Sequence, residues 1–263
     1  MKNKATLDSY VATCIESLQQ YEIDQEAVIR PRSFAVMAEA VEAPTKGSIV
    51  GEGMLSFTGN LSVGNRADAQ NAFLFATLVA NKKYPNEEDG KEWYALFRQV
   101  MTDAGWAPVT KYYGDLHIGG TSARMDKLVL EILASVVANV AVPGPASALM
   151  LKVAGDAISA LQKRDTALTI YERNLLENGV GGIAAGSCTE VNGEVLMAVG
   201  AVRFKRRNTS TKVLFVDVDV RNVKLYRGET LFAKNEFVAD EVRQTIKDRL
   251  SGNVKKKIED YDF

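Results

Sequence analysis

The chain has 263 residues, 46% of them hydrophobic and 25% charged, with a formal net charge of −1. That balance belongs to a globular protein with a sizeable core and excludes a disordered chain. A near-neutral charge excludes a general nucleic-acid binder, and two cysteines, Cys14 and Cys188, are too few for a disulfide framework.

The opening MKNKATLDSY carries lysines but no apolar run after them. Cytoplasmic synthesis in a bacterium-like cell without a signal peptide is expected, with later release and membrane association left open. Residues 6–20 place Leu7, Tyr10, Val11, Cys14, Ile15 and Leu18 on one helical face, which makes Cys14 a small core residue. Residues 47–63 (GSIVGEGMLSFTGNLSV) read as strands and turns. A helix is then expected over 66–82, with Ala69, Phe73, Leu74 and Ala80 inward. Asn86, followed by Glu87, Glu88 and Asp89, caps a helix that presents Trp93, Leu96, Phe97, Val100, Met101 and Ala104 and stops at Gly105. An extended piece over 109–113 leads to the only histidine, His117, in GDLHIGG.

Thr121 or Ser122 caps a long helix carrying Met125, Leu128, Val129, Ile132, Leu133, Val136, Val137 and Val140. The turn Pro143-Gly144-Pro145 joins it to a second helix over 149–162. The uncharged stretch 132–151 approaches the membrane-spanning length of about 20 residues, but the prolines break it, and two buried helices are expected instead. From residue 180 the hydrophobic period changes to two. The segments GGIAAGSCTEV and EVLMAVGAVRF, joined by Asn192-Gly193, form a hairpin with a type I′ turn. A strand over 212–226, a turn at Arg227-Gly228, a strand over 229–238, a helix over 240–250 and a further helix over 254–261 complete the reading. The expected fold class is mixed α/β, one domain over 1–263. Its subregions are a mixed α/β part (1–120), an apolar helical hairpin (121–178) and a β-meander with a C-terminal helix (179–263).

A two-residue loop at Asn192-Gly193 pairs Val191 with Glu194 and sets Cys188 opposite Met197. Alternation then puts Cys188 on one face with Ala184, Gly186, Val195, Val199 and Ala201. Small neighbours on its own strand, against larger apolar groups on the next, leave an under-filled slot beside the sulfur. A thiol there can hold a thioester-linked acyl chain, each buried methylene contributing about 0.8 kcal/mol. Inert core packing is the other reading of the same pattern. His117, with Asp115 nearby, is the one residue able to serve Cys188 as base in a Cys–His dyad; the alternative is a turn or surface role. One histidine and two separated cysteines do not make a zinc site, and GVGGIAAG lacks the Gly-Lys-Ser/Thr of a phosphate loop, so neither metal nor nucleotide is expected. The clusters Lys205-Arg206-Arg207 and Lys255-Lys256-Lys257 read as solvated faces or as contacts to anionic lipid, and Trp93 and Trp106 as core or as membrane-interface anchors.

In its length, its start without a signal peptide, its Trp93 helix (KEWYALFRQVM) and its late cysteine in GGIAAGSCTEV, the chain resembles the Evf-like, insect-associated bacterial virulence factors. The resemblance implies a complex α/β fold, with palmitate on the late cysteine, here Cys188, buried in a hydrophobic cavity. It also implies association with anionic membranes, persistence in an insect gut, and a position for Trp93 near the lipid-responsive region. Trp106 and Cys14 do not belong to the pattern. The expected function is a virulence-type, lipid-interacting protein with a fatty acyl chain on Cys188, acquired from an acyl thioester donor. The chain would be housed between the C-terminal sheet and the helical hairpin, in a slot made by Ala184, Gly186, Val195, Met197 and Val199. Its rivals are a cysteine-nucleophile acyltransferase or thioesterase, and a membrane-inserting pore-forming toxin that uses residues 125–162.

Overall fold

The N-terminal periodicity folds as α1 (Lys2–Gln20), which buries Val11, Cys14 and Leu18, whereas Tyr10 turns outward and is 44% exposed. The computed structural model describes residues 2–23, 46–51, 53–86, 89–138, 144–177, 181–204, 214–215, 217–219, 225–250 and 257–262. The glycine-rich stretch forms two strands, β1 (Lys46–Val50) and β2 (Gly53–Phe57), paired antiparallel. Next comes α2 (Val63–Lys83), capped by Ser62, whose Oγ accepts the Asn65 amide at 3.0 Å. α3 (Gly90–Asp103) starts later than the Asn86 cap suggested, but its stripe of Trp93, Phe97, Val100 and Met101 is buried. Gly105, at φ +86°, ends it in a conformation that suits glycine.

β3 (Trp106–Leu116) extends the short piece expected over 109–113. Ser122 does not cap a helix. It opens β4 (Ser122–Arg124), which pairs with β7 (Asp217–Asp219), and α4 (Met125–Ala138) follows directly. α5 (Gly144–Leu161) carries Pro145 in its first turn, where a missing amide hydrogen breaks no helical bond; Pro143 lies outside the described residues. α6 (Asp165–Glu177) had no counterpart in the sequence reading; Ala167 and Tyr171, one turn apart, bury its face.

The hairpin of β5 (Gly181–Val191) and β6 (Glu194–Phe204) has the register read from the sequence, Val191 opposite Glu194 and Cys188 opposite Met197. Asn192 and Gly193 both have positive φ, +54° and +83°, as a type I′ turn requires. The expected turn at Arg227-Gly228 is absent: β8 (Leu225–Lys234) runs straight through it. Gly228 serves close packing instead, since a Cβ there would lie 2.5 Å from Cε2 of Tyr94. The strand expected to reach 238 stops early because Asn235 caps α7 (Glu236–Leu250), its Oδ1 accepting the Val238 amide at 3.2 Å. The helix expected over 254–261 is replaced by β9 (Ile258–Asp262), which pairs antiparallel with β1. Of the two basic clusters only Lys257 lies within the described residues, and it is buried.

Seven strands form one mixed sheet in the order β3-β8-β6-β5-β2-β1-β9, in which β2 and β5 are parallel and the other neighbours antiparallel. The fold is mixed α/β and contains the apolar helical hairpin and the C-terminal antiparallel strands, but β1, β2 and β3 join those strands in the same sheet. One face carries the apolar cluster shared with α2, α3, α7 and α1, in which α1 packs on α3 and α7, and the other packs against α4, α5 and α6. Side chains therefore alternate along each central strand between two apolar layers. Among the described residues, no helix is long and apolar enough to cross a membrane.

Candidate functional site

Cys188 belongs to the layer beneath α1, α2, α3 and α7, not to the layer of the helical hairpin. Its neighbour Ser187 points the other way and donates its hydroxyl to the Met150 carbonyl of α5 at 2.9 Å. The expectation that the sheet and the hairpin house an acyl chain thus meets the wrong face: a one-residue step along a strand reverses the side.

Three rows build the face that carries Cys188. The first is Phe57, Cys188 and Met197; the second Leu55, Gly186 and Val199; the third Gly53, Ala184 and Ala201. Cys188 is fully buried, and the Thr58 amide donates to its carbonyl at 3.1 Å. In the second row the space left by Gly186 is filled by Leu55: a Cβ on Gly186 would sit 2.5 Å from Leu55 Cδ2. Space opens again at the third row. There an apolar crevice of about 380 Å³, counted with the part open to solvent, lies between Gly53, Ala184, Val199 and Ala201 below and Phe73, Trp93, Tyr94 and Phe97 above. Its enclosed part has room for about one or two water molecules. Of the five slot residues named from the sequence, Ala184 and Val199 line this crevice; Cys188 does not, and stands two rows away, about 13 Å along the strand.

Burial alone pushes the Cys188 thiol well above its ordinary value. The reactive thiolate is correspondingly scarce at neutral pH. His117 cannot correct this as a base. It is exposed, just beyond Leu116, and Leu116, Leu225, Phe204 and Gly181 form one row across β3, β8, β6 and β5. Cys188 is seven residues further along β5 and three strands over, a separation on the order of 25 Å. The fold does not assemble the Cys–His dyad. Cys14 and Cys188 are both free thiols.

Trp93 and Trp106 are core residues rather than membrane-interface anchors. Trp93 stacks on Phe97 with centroids 5.5 Å apart and donates its Nε1–H to Asn81 Oδ1 at 2.6 Å; Trp106 is fully buried. The guanidinium of Arg203 lies over the Trp93 ring, 4.2 Å from its centroid, beside the crevice. Phe57, Leu55 and Gly53 were not read as site residues. No local signal could have found them, because their neighbours on β5 are about 130 residues away in the chain. Among the described residues, no group of three or more His, Cys, Asp or Glu side chains could hold a metal ion.

No protein-family model matches the chain, and no curated protein matches it in sequence. Solved structures that are weakly similar to it include a delta-endotoxin and the Evf virulence factor. The delta-endotoxin shares 12% identity at a TM-score of 0.38, over 80% of this chain and 91% of its own. The Evf virulence factor shares 11% identity at a TM-score of 0.32, over 76% of this chain and 84% of its own.

Proposed function

We propose that this chain is a virulence-type, lipid-interacting protein that carries a fatty acyl chain as a thioester on Cys188 and associates with anionic membranes. The observation that carries the reading is the strand register. Cys188 heads a file of small residues, Gly186 and Ala184, that ends in the apolar crevice beneath Phe73, Trp93 and Phe97. At Gly186 the Leu55 side chain stands in that lane, and the far end of a leucine can swing between rotamers. An acyl chain in the lane would bury each methylene at a gain of about 0.8 kcal/mol.

Acylation has a simple balance. The Cys188 thiolate attacks the carbonyl of an acyl thioester donor, a new S–C bond forms, and the donor's thiolate leaves and takes up the proton. The buried sulfur must be reached while the α2 side of the sheet is open. Once the site is closed, burial keeps water from the sulfur and His117, at the far end of the sheet, is too distant to act as a base, which favours a retained acyl group over a turnover intermediate. The pore-forming alternative gains no support from α4 and α5. Their 14 and 18 residues reach about 21 and 27 Å, against a hydrocarbon core of about 30 Å, and their apolar faces already lie against the sheet.

Intact-mass measurement of protein from cells is expected to show one long-chain acyl adduct that hydroxylamine removes and that Cys188→Ala lacks. An unmodified mass in several independent preparations would overturn the reading. In vesicle flotation, the acylated protein is expected to rise with anionic vesicles and to stay behind with zwitterionic ones; equal behaviour with both would remove the anionic-membrane part.

A further inference from the structure

Arg66 sits in the opening turn of α2, where its amide donates to the Ser62 carbonyl at 3.0 Å. The residue is only 6% exposed, and its guanidinium lies over the ring of Phe57, 5.4 Å from the centroid. Phe57 is the strand partner of Cys188. Among the described residues, Nε and Nη2 of Arg66 have no hydrogen-bond partner. Nearby cations are treated differently. Lys234, with its side chain 1% exposed, contacts Asp68, Glu236 and Asn65, and Arg243 takes both oxygens of Asp68. The buried carboxylate close to Arg66 in sequence is therefore already engaged.

An arginine side chain stays charged when buried, and an uncompensated cation in an apolar layer is costly unless an anion joins it. The start of α2 adds partial positive charge to the same place. The two unpartnered donors also have a definite shape. Nε and Nη2 form one edge of the guanidinium, the edge with which Arg243 clasps Asp68 at 2.7 and 2.8 Å. That fork matches a carboxylate, whose two oxygens accept the two parallel bonds.

We propose that Arg66 receives the carboxylate of an unesterified long-chain fatty acid whose tail lies along the Gly186–Ala184 lane toward the crevice. The surroundings select the tail. Phe57, Leu55, Met197 and Val199 offer a polar ligand nothing beyond the fork itself. The acid needs no bond to Cys188, but its tail takes the lane that a Cys188-linked chain would fill, so the proposal rests on the reading of that lane and concerns the chain when Cys188 is not acylated.

The test uses the full chain, stripped of bound lipid by solvent and hydroxylamine, titrated calorimetrically with palmitate, methyl palmitate and acetate. Palmitate is expected to bind one per chain and to raise the melting temperature. Methyl palmitate, which keeps the tail but loses the charge, is expected to bind about ten-fold more weakly or worse, and acetate to have no effect at the same concentration. Arg66→Gln is expected to erase the difference between acid and ester. Equal binding of acid and ester by the unsubstituted protein, no binding of either, or a shift with acetate equal to that with palmitate would each overturn the proposal. The first comparison decides even if Arg66→Gln does not fold. Failure of the thioester shows separately, as a missing hydroxylamine-labile mass in protein that still prefers acid to ester.

Discussion

Asp68→Ala is expected to lower the free energy of unfolding by about 3 kcal/mol or more, because it strands a buried charge. Asp68 ties three elements together: it accepts from Arg243 of α7 through both oxygens and lies 2.9 Å from Lys234 Nζ of β8. The Asp68 and Lys234 side chains are 6% and 1% exposed, so water replaces little of what is lost. Lys234 would keep Glu236, but that carboxylate is half exposed. Burial pushes the Asp68 carboxyl up, yet the hydrogen bonds and charges of Arg243 and Lys234 together hold it below its ordinary value. A carboxyl lowered by folding contributes stability that is fully present above its unfolded value of about 3.9 and is lost as pH falls through the folded value. Urea unfolding from pH 7 to pH 2.5 should therefore show the gap between the parent and Asp68→Asn closing as pH falls. A gap that is small at pH 7, or constant with pH, would mean that the ion cluster contributes little.

Gly105→Ala is expected to cost about 2–5 kcal/mol, the sum of a left-handed backbone penalty and a clash that cannot relax. Gly105 has φ +86°, and a Cβ there would lie 2.6 Å from the backbone nitrogen of Ala239 and 2.8 Å from its Cα. Those atoms belong to the first turn of α7, which is fixed from both sides: the Asn235 amide donates to the Gly105 carbonyl at 2.8 Å, and the Ala239 amide donates to Asn235 at 2.9 Å. Gly155 in α5 is the control. A Cβ there meets nothing within 4 Å, and Gly155→Ala should stabilise the helix by about 0.5–1 kcal/mol. Thermal unfolding of the two variants should move in opposite directions. A Gly105→Ala melting temperature equal to the parent's would show that the α3–α7 junction is looser than its geometry indicates.

The sequence by itself determined what short-range rules govern. The stripe of Trp93, Phe97, Val100 and Met101 specified a buried helix. The positive φ values demanded by Asn192-Gly193 specified a two-residue turn, and with it the pairing of Cys188 with Met197 and the residues sharing its face. Tertiary structure decided the rest, because those outcomes depend on atoms far away in the chain. Gly228 reads as a turn until the Tyr94 ring occupies its missing side chain, and residues 258–262 become a strand only because β1 offers an open edge. The slot beside Cys188, open when β5 and β6 are considered alone, is filled by Leu55 through the parallel pairing of β2 with β5. Alternation told which residues stand together, but not which of the two helical layers they face. That choice, which sets Cys188 and Arg66 on the α2 side and leaves His117 at the far end of an edge strand, was made by the packing of helices on the sheet.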